Sequence, residues 1–376
     1  MKKLLLSFSG LMLLATACNT PGDPDDILVN CDFDQQGMLT NYADEIIIPR
    51  FGEFEVSLLY LEGSFDAFAA NPTIGLLNEM RIMFGVAYGS YQKCSPFGFG
   101  PALIDGVAFT GKINVFPANT TDINSNIENE IPASSSLLSA VGFPAVDYLM
   151  FGEAGTTDAQ IIELFTTDVN AEKRMVYLGQ LIDDLKSTVV QINDDWEGYR
   201  ATFIGNTGNS IGSSLSLLVN AFNYDFETLK NYKFKIPLGK YNGGIVKPES
   251  VEALYAGGSV RLAKEQVTAM KELYLGIGEN GSDGLGLYDY VLCAKPLTSE
   301  EQSEGLLPLA DDISQHFLDI ETALDDVPDP LSETLVSNKP VVDNAHSKMQ
   351  STVPLIKQEM TSALGVQISY QDNDGD

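Results

Sequence analysis

The stretch Phe51-Gly52-Glu53-Phe54-Glu55-Val56-Ser57-Leu58-Leu59-Tyr60-Leu61-Glu62-Gly63-Ser64-Phe65-Asp66-Ala67-Phe68 decides the fold class. Phe51, Phe54, Leu58, Leu61, Phe65 and Phe68 recur at alternating intervals of three and four, which is one face of an α-helix and not a strand. Asn71-Pro72-Thr73 breaks the pattern, and a second helix is predicted from about Ile74 to Lys93 with Leu77, Met80, Phe84, Tyr88 and Tyr91 on one face. From Ser95 to about Ser136 the chain is rich in glycine and proline and reads as a long irregular excursion. Helical spacing resumes near Leu137 and then runs through Leu178, Leu181, Leu185, Ile192 and Trp196, with Asp168 or Asn170 as the expected N-cap. Ile204-Gly205-Asn206-Thr207-Gly208-Asn209-Ser210 is the candidate hinge. Beyond it lie helical stretches near 211–231, 259–275, 299–325 and 331–364, carried by Leu262, Ala269, Leu273 and by Leu306, Leu309, Ile313, Phe317, Ile320, Leu324. Ile46 to Ile48 and Val366 to Ser369 look strand-like but alternate too briefly for a sheet. The pattern therefore predicts an all-α protein of two antiparallel helical bundles.

Composition narrows the function. The chain has 376 residues, 22 basic and 52 acidic side chains, and a net charge of −30. Such a surface has no basic patch to neutralise phosphates, which argues against nucleic acid as a partner. Two histidines in the whole chain are few for a zinc hydrolase, which uses two or three as ligands. Met1-Lys2-Lys3, an apolar run from Leu4 to Ala15, and Ala15-Thr16-Ala17-Cys18 resemble a bacterial lipoprotein signal, with cleavage before Cys18 and lipid on its thiol. Removal of residues 1–17 would take the charge to −32. Residues 18–32 then form an acidic, turn-rich tether, and no later stretch is apolar enough to compete as an anchor. The expected location is the cell envelope, as a membrane-anchored lipoprotein of the outer membrane on its periplasmic or surface side. An ordinary signal peptide cut after Ala17 is the alternative. Cys31, Cys94 and Cys293 remain. Cys31 can bridge to Cys94, or the three can simply be buried, and spacing does not decide.

Few residues look chemical. His316 and His346 sit among polar helix formers and read as exposed helical histidines. Arg81 shares a face with Leu77, Phe84 and Tyr88, so its guanidinium must meet a carboxylate or a ligand. Gly142-Phe143-Pro144-Ala145-Val146-Asp147 reads as a helix start, with proline in the first turn and a carboxylate near the N-terminus. Asp372-Asn373-Asp374-Gly375-Asp376 has the look of an EF-hand opening but lacks the distal glutamate, so a solvated acidic tail is the plainer reading. Asn280-Gly281-Ser282-Asp283-Gly284 reads as a loop.

At Gly142-Phe143-Pro144-Ala145-Val146-Asp147 the chain resembles the imelysin-like family of bacterial envelope proteins, whose hallmark there is GxHxxE. Gly142 matches, Pro144 stands in place of the histidine and Asp147 in place of the glutamate. Asn71-Pro72-Thr73 with Arg81, Phe97-Gly98-Phe99-Gly100-Pro101, Ile113-Asn114-Val115-Phe116-Pro117, Lys235-Ile236-Pro237-Leu238-Gly239, Val251 to Ser259 and Leu364 to Tyr370 are similar to family motifs in the same order. The resemblance implies two similar four-helix bundles, at 33–204 and 205–376, with a ligand site at their interface. Carried over by position, that site holds Arg81, Asp147, Glu252 and Ser259. Arg81 and Asp147 pairing with each other, and Ser259 capping the helix after it, are the structural alternatives. The resemblance implies a non-enzymatic, lipid-anchored binding protein for iron or another hard cation, working with envelope iron-uptake components. Loss of the motif histidine at Pro144 weighs against the alternative, a metallopeptidase. An envelope protein-interaction module is the third reading.

Overall fold

The computed structural model describes residues 31–370, and helices account for nearly all of its regular structure. We label the main helices α1 (Ile48–Ala70), α2 (Ile74–Cys94), α3 (Thr120–Glu128), α4 (Gly142–Phe151), α5 (Ala171–Gly205), α6 (Ser214–Thr228), α7 (Ser259–Leu275), α8 (Leu309–Asp325) and α9 (Lys339–Pro354). Among the described residues the only sheet is a two-residue hairpin in which Leu103 faces Ala108 and Ile104 faces Val107. The fold is all-α, as the spacing of α1 requires. Phe51, Phe54, Leu58, Leu61 and Phe68 are buried, and Phe65 is half-buried against the core. Thr73 caps α2 by accepting from the Leu76 N–H.

α1 lies along α2 and α5, and α4 packs on α5. Further along the chain, α8 packs on α7 and α9, and α7 crosses α2, so chemistry at that crossing draws on both ends of the sequence. α5 ends at Gly205, and the segment that follows is tied down. Gln35 exchanges hydrogen bonds with Gly208, and Ser214 Oγ donates to the Phe203 carbonyl.

Several expectations need correction. Ile46 to Ile48 is helical: Tyr42–Ile47 forms a π-helical turn leading into α1, because the buried Met38, Leu39, Tyr42 and Ala43 extend the helical seam upstream. The expected helix at 299–325 is broken, with Gly305 left-handed at φ 73° and Pro308 preceding α8, so Leu306 lies outside the helix and is exposed. The stretch 331–364 is likewise divided, at Asn338 and by a π-helical turn after Pro354. Val366 to Ser369 pairs with no strand; Asn220 holds it, donating to the Gln367 carbonyl and accepting from the Ser369 N–H. His346 is buried rather than exposed, and burial pulls its imidazole down to about 4. His316 is half-buried beside Thr352. Asn170 occupies the N-cap of α5, but its side chain makes no capping bond.

Cys31 bonds Cys293, not Cys94, which is buried and free. The bridge ties the end of the predicted tether to residues 262 positions away. Closing so long a loop restrains the unfolded chain, so Cys293→Ser should lower the unfolding free energy by about 2–4 kcal/mol. Urea unfolding curves of oxidised wild type and Cys293→Ser test this, and superimposable curves would contradict it. Cys18, the predicted signal peptide, most of the tether and the Asp372 to Asp376 tail lie outside the described residues. Among the described residues no helix is long and apolar enough to cross a membrane.

Candidate functional site

α4 carries the sequence motif. Gly142 opens it at φ 72°, a conformation that favours glycine, and a Cβ there would stand 2.1 Å from the Ile113 carbonyl oxygen. Phe143 turns into the core, stacked on Tyr88 with ring centroids 4.4 Å apart. Pro144 is buried in the first turn, where its missing N–H costs nothing. One turn from the start, Asp147 reaches the segment that leads into α7. Its Oδ2 accepts from the Tyr255 N–H at 3.0 Å and its Oδ1 from the Ala256 N–H at 2.8 Å.

That segment, 251–258, is shaped to make the contact. Ala253 is left-handed at φ 47°, a strained conformation for a residue with a Cβ, and Gly257 follows at φ 70°. The Gly257 N–H donates to the Ala253 carbonyl at 2.9 Å, and Ser259 Oγ donates to the Glu252 carbonyl. Ser259 therefore pins the turn and does not cap α7. Asp329 does that, accepting from the N–H groups of Val260 and Arg261 at 2.8 and 3.0 Å.

Glu252 is 1% exposed and fully engaged. Its Oε1 accepts from Gln92 Nε2 at 3.0 Å and Asn114 Nδ2 at 2.7 Å, and its Oε2 lies 2.7 Å from Lys233 Nζ. Lys233, itself 4% exposed, also donates to Gln92 Oε1 at 2.7 Å. Tyr88 OH donates to Asn114 Oδ1 at 2.6 Å. Beside this ring, buried Asp225 accepts from Ser95 Oγ at 3.1 Å and Gln266 Nε2 at 2.8 Å. The result is a buried polar seam between α2, α4, the 251–258 turn and the π-helical turn Leu229–Lys235 that follows α6. Tyr148 and Tyr255 lie half-buried at its rim, rings 5.2 Å apart.

Three of the four carried-over residues, Asp147, Glu252 and Ser259, thus meet at one turn. Arg81 does not join them. Its Nε and Nη2 donate to the Met150 carbonyl at 3.0 and 2.7 Å, its Nη1 pairs with Asp158 at 2.7 Å, and the guanidinium lies 4.7 Å over the Phe151 ring. It grips the C-terminal end of α4, so the alternative of an Arg81–Asp147 pair is replaced by Arg81–Asp158. Lys233, Gln92, Asn114 and Asp225 were missed by sequence reasoning. The one signal available was a lysine lodged between apolar Leu229 and Phe234.

Burial governs the electrostatics. Desolvation pushes Asp147 up to about 7 against the pull of its two backbone donors, and nearby Glu252 adds to the rise. Desolvation likewise pushes Asp225 up to about 6, against Gln266, Lys233 and Ser95. The folded chain then holds protons that the unfolded chain releases from about pH 4 upward. This stabilisation is complete below the ordinary aspartate value and is lost as pH rises through about 7. Unfolding free energy should therefore fall from pH 5 to pH 8, and fall less in Asp147→Asn. Equal pH slopes for the two proteins in urea unfolding would contradict the assignment.

A metal ion does not fit this set. Both Asp147 oxygens take backbone N–H groups, Glu252 is neutralised by Lys233, and Pro144 offers no donor atom. Among the described residues no group of three or more His, Cys, Asp or Glu is placed to hold a metal ion.

The imelysin family model matches residues 47–355, which include α4, the 251–258 turn and Lys233. The chain belongs to the imelysin family. A curated relative, iron-regulated protein A of Synechococcus elongatus, is 21% identical over 311 residues, covering 80% of this chain and 80% of that protein. Two solved structures share the fold. An imelysin-like protein from Psychrobacter arcticum 273-4 aligns with a TM-score of 0.68 at 15% identity, over 89% of this chain and 96% of that one. A protein described as an iron-regulated protein A precursor, from Parabacteroides distasonis, gives 0.68 at 14% identity over 88% and 94%. In this member of the family, Pro144 is buried in the first turn of α4 and Asp147 clasps a backbone turn.

Proposed function

We propose that this imelysin-family chain is a non-enzymatic, lipid-anchored binding protein of the cell envelope that serves acquisition of iron or another cation. Its ligand is taken at the seam of α4 and the 251–258 turn. The observation that carries the reading is the commitment of every motif donor to the protein itself: Asp147 to the turn, Glu252 to Lys233, Gln92 and Asn114. A hydrolytic zinc site needs open ligands and an activated water, and these side chains leave no donor for either. Iron handled here would arrive with its own organic ligands and meet the half-buried Tyr148 and Tyr255 at the rim. The name of the cyanobacterial relative, iron-regulated protein A, supports the link to iron. The lipid anchor rests on the Ala15-Thr16-Ala17-Cys18 sequence, and the acidic tether would let the body meet envelope iron-uptake components.

Titration calorimetry of the mature chain with ferric citrate and with haem, followed by metal analysis, tests the binding. Saturable uptake of at least one is expected, and no uptake of either would overturn the reading.

A further inference from the structure

The described residues include five arginines in a chain that carries 52 acidic side chains, and four of them end on carboxylates. Arg50 meets Glu272 and Glu279, Arg81 meets Asp158, Arg200 meets Asp44, and Arg261 meets Glu265. Arg174 has no such partner among the described residues. It is 9% exposed, its Nε is enclosed without a hydrogen-bond partner, and its Nη2 reaches only the neutral Asn124 Oδ1 at 3.5 Å. A buried guanidinium with no carboxylate in contact is costly, and the enclosed Nε–H adds the cost of an unmade hydrogen bond.

The surroundings increase the demand for negative charge. Arg174 stands in the opening turn of α5, a 35-residue helix whose aligned backbone dipoles place positive potential at that end. Burial pulls the guanidinium below its ordinary value, opposed by the Tyr148 and Asp168 side chains. Asp168 is turned to the backbone, with its Oδ1 accepting from the Asn170 N–H at 2.9 Å. Asn124 links the arginine to the seam: its Nδ2 donates to Tyr148 OH at 2.8 Å, Tyr148 packs on Tyr255, and the Tyr255 N–H is held by Asp147.

We propose that Arg174 anchors a second binding site, between α3, α4 and α5, that takes a small oxyanion (a carboxylate or phosphate group) from solution. A guanidinium presents parallel donors to two oxygens of such a group, a geometry that a lone ammonium cannot supply. An oxyanion seated there lies beside Tyr148, so its attached molecule reaches the same rim as the ligand of the α4 seam. The site does not depend on the iron reading, because the anchor is defined by a charge deficit and not by a metal.

The test is calorimetry of the mature chain with citrate and, separately, inorganic phosphate, both free of iron. Wild type should bind at least one of them saturably, and the one bound names the class. Charge-assisted hydrogen bonds lost in Arg174→Gln should weaken binding by about 10- to 100-fold. Asn124→Asp supplies the missing carboxylate from within: it should abolish oxyanion binding and raise the thermal midpoint of the ligand-free protein. That variant keeps the test decisive if Arg174→Gln fails to fold. No saturable binding of either oxyanion by wild type, or unimpaired binding by Asn124→Asp, would overturn the proposal. Because iron is left out, failure here leaves the iron titration to be judged on its own.

Discussion

Lys233→Met should lower the unfolding free energy by about 3–5 kcal/mol, because it leaves Glu252 buried with amide donors and no counter-charge. Lys233 Nζ stands 2.7 Å from Glu252 Oε2, and both side chains are at most 5% exposed, so solvent does not screen the loss. Methionine matches the stem of lysine in length, so packing contributes little to the difference. Glu252→Gln alone should cost less, since lysine keeps the nearby Asp225 carboxylate as a counter-charge and can still donate to Gln92. The double variant should recover much of the loss of Lys233→Met, because removing both charges restores balance. A double-mutant cycle in urea reads the coupling directly. Additive single effects would show that the pair is not coupled and that the seam is held by packing alone.

Gly142→Ala should be nearly as damaging, for a reason confined to the backbone. The residue sits at φ 72°, and its new Cβ would meet the Ile113 carbonyl oxygen at 2.1 Å. No side chain can move aside, so left-handed strain and overpacking add to about 2–6 kcal/mol. Gly155→Ala is the control: it shares positive φ, at 89°, but a Cβ there meets nothing within 4 Å. It should cost only the strain, about 1 kcal/mol. Thermal unfolding of the two variants separates strain from clash. Equal losses would mean that α4 can shift away from Ile113 and that the motif glycine is not a fixed point.

The physical origin of what was legible in the sequence differs between fold and site. Helix faces were legible because burial repeats with the helical period: Phe51 to Phe68, Leu77 to Tyr91 and Leu178 to Trp196 all face the core. Breaks were less legible where one backbone feature, such as left-handed Gly305 before Pro308, interrupts an otherwise helical stretch. The site was half legible. Asp147, Glu252 and Ser259 could be placed together only through family motifs, since nothing local in Val251 to Ser259 signals a turn aimed at a carboxylate over a hundred residues away. Lys233, Gln92 and Asn114 come from three distant stretches, and their polar character matters only once burial removes water. The Cys31–Cys293 bridge was illegible for the same reason, as pairing depends on the closed fold and not on spacing. Arg81 was expected to meet a carboxylate or a ligand, and the sequence does not say that Asp158 and the end of α4 would supply its partners.

Central to the proposed function is that α4 and the 251–258 turn form a binding seam and not a hydrolytic centre. The most direct measurement is incubation of the mature chain with an unfolded protein substrate and added zinc, followed by mass spectrometry of the substrate. The substrate should remain intact in wild type and in Asp147→Asn alike. Zinc-dependent cleavage by wild type that Asp147→Asn abolishes would contradict the account and make Asp147 part of a catalytic site.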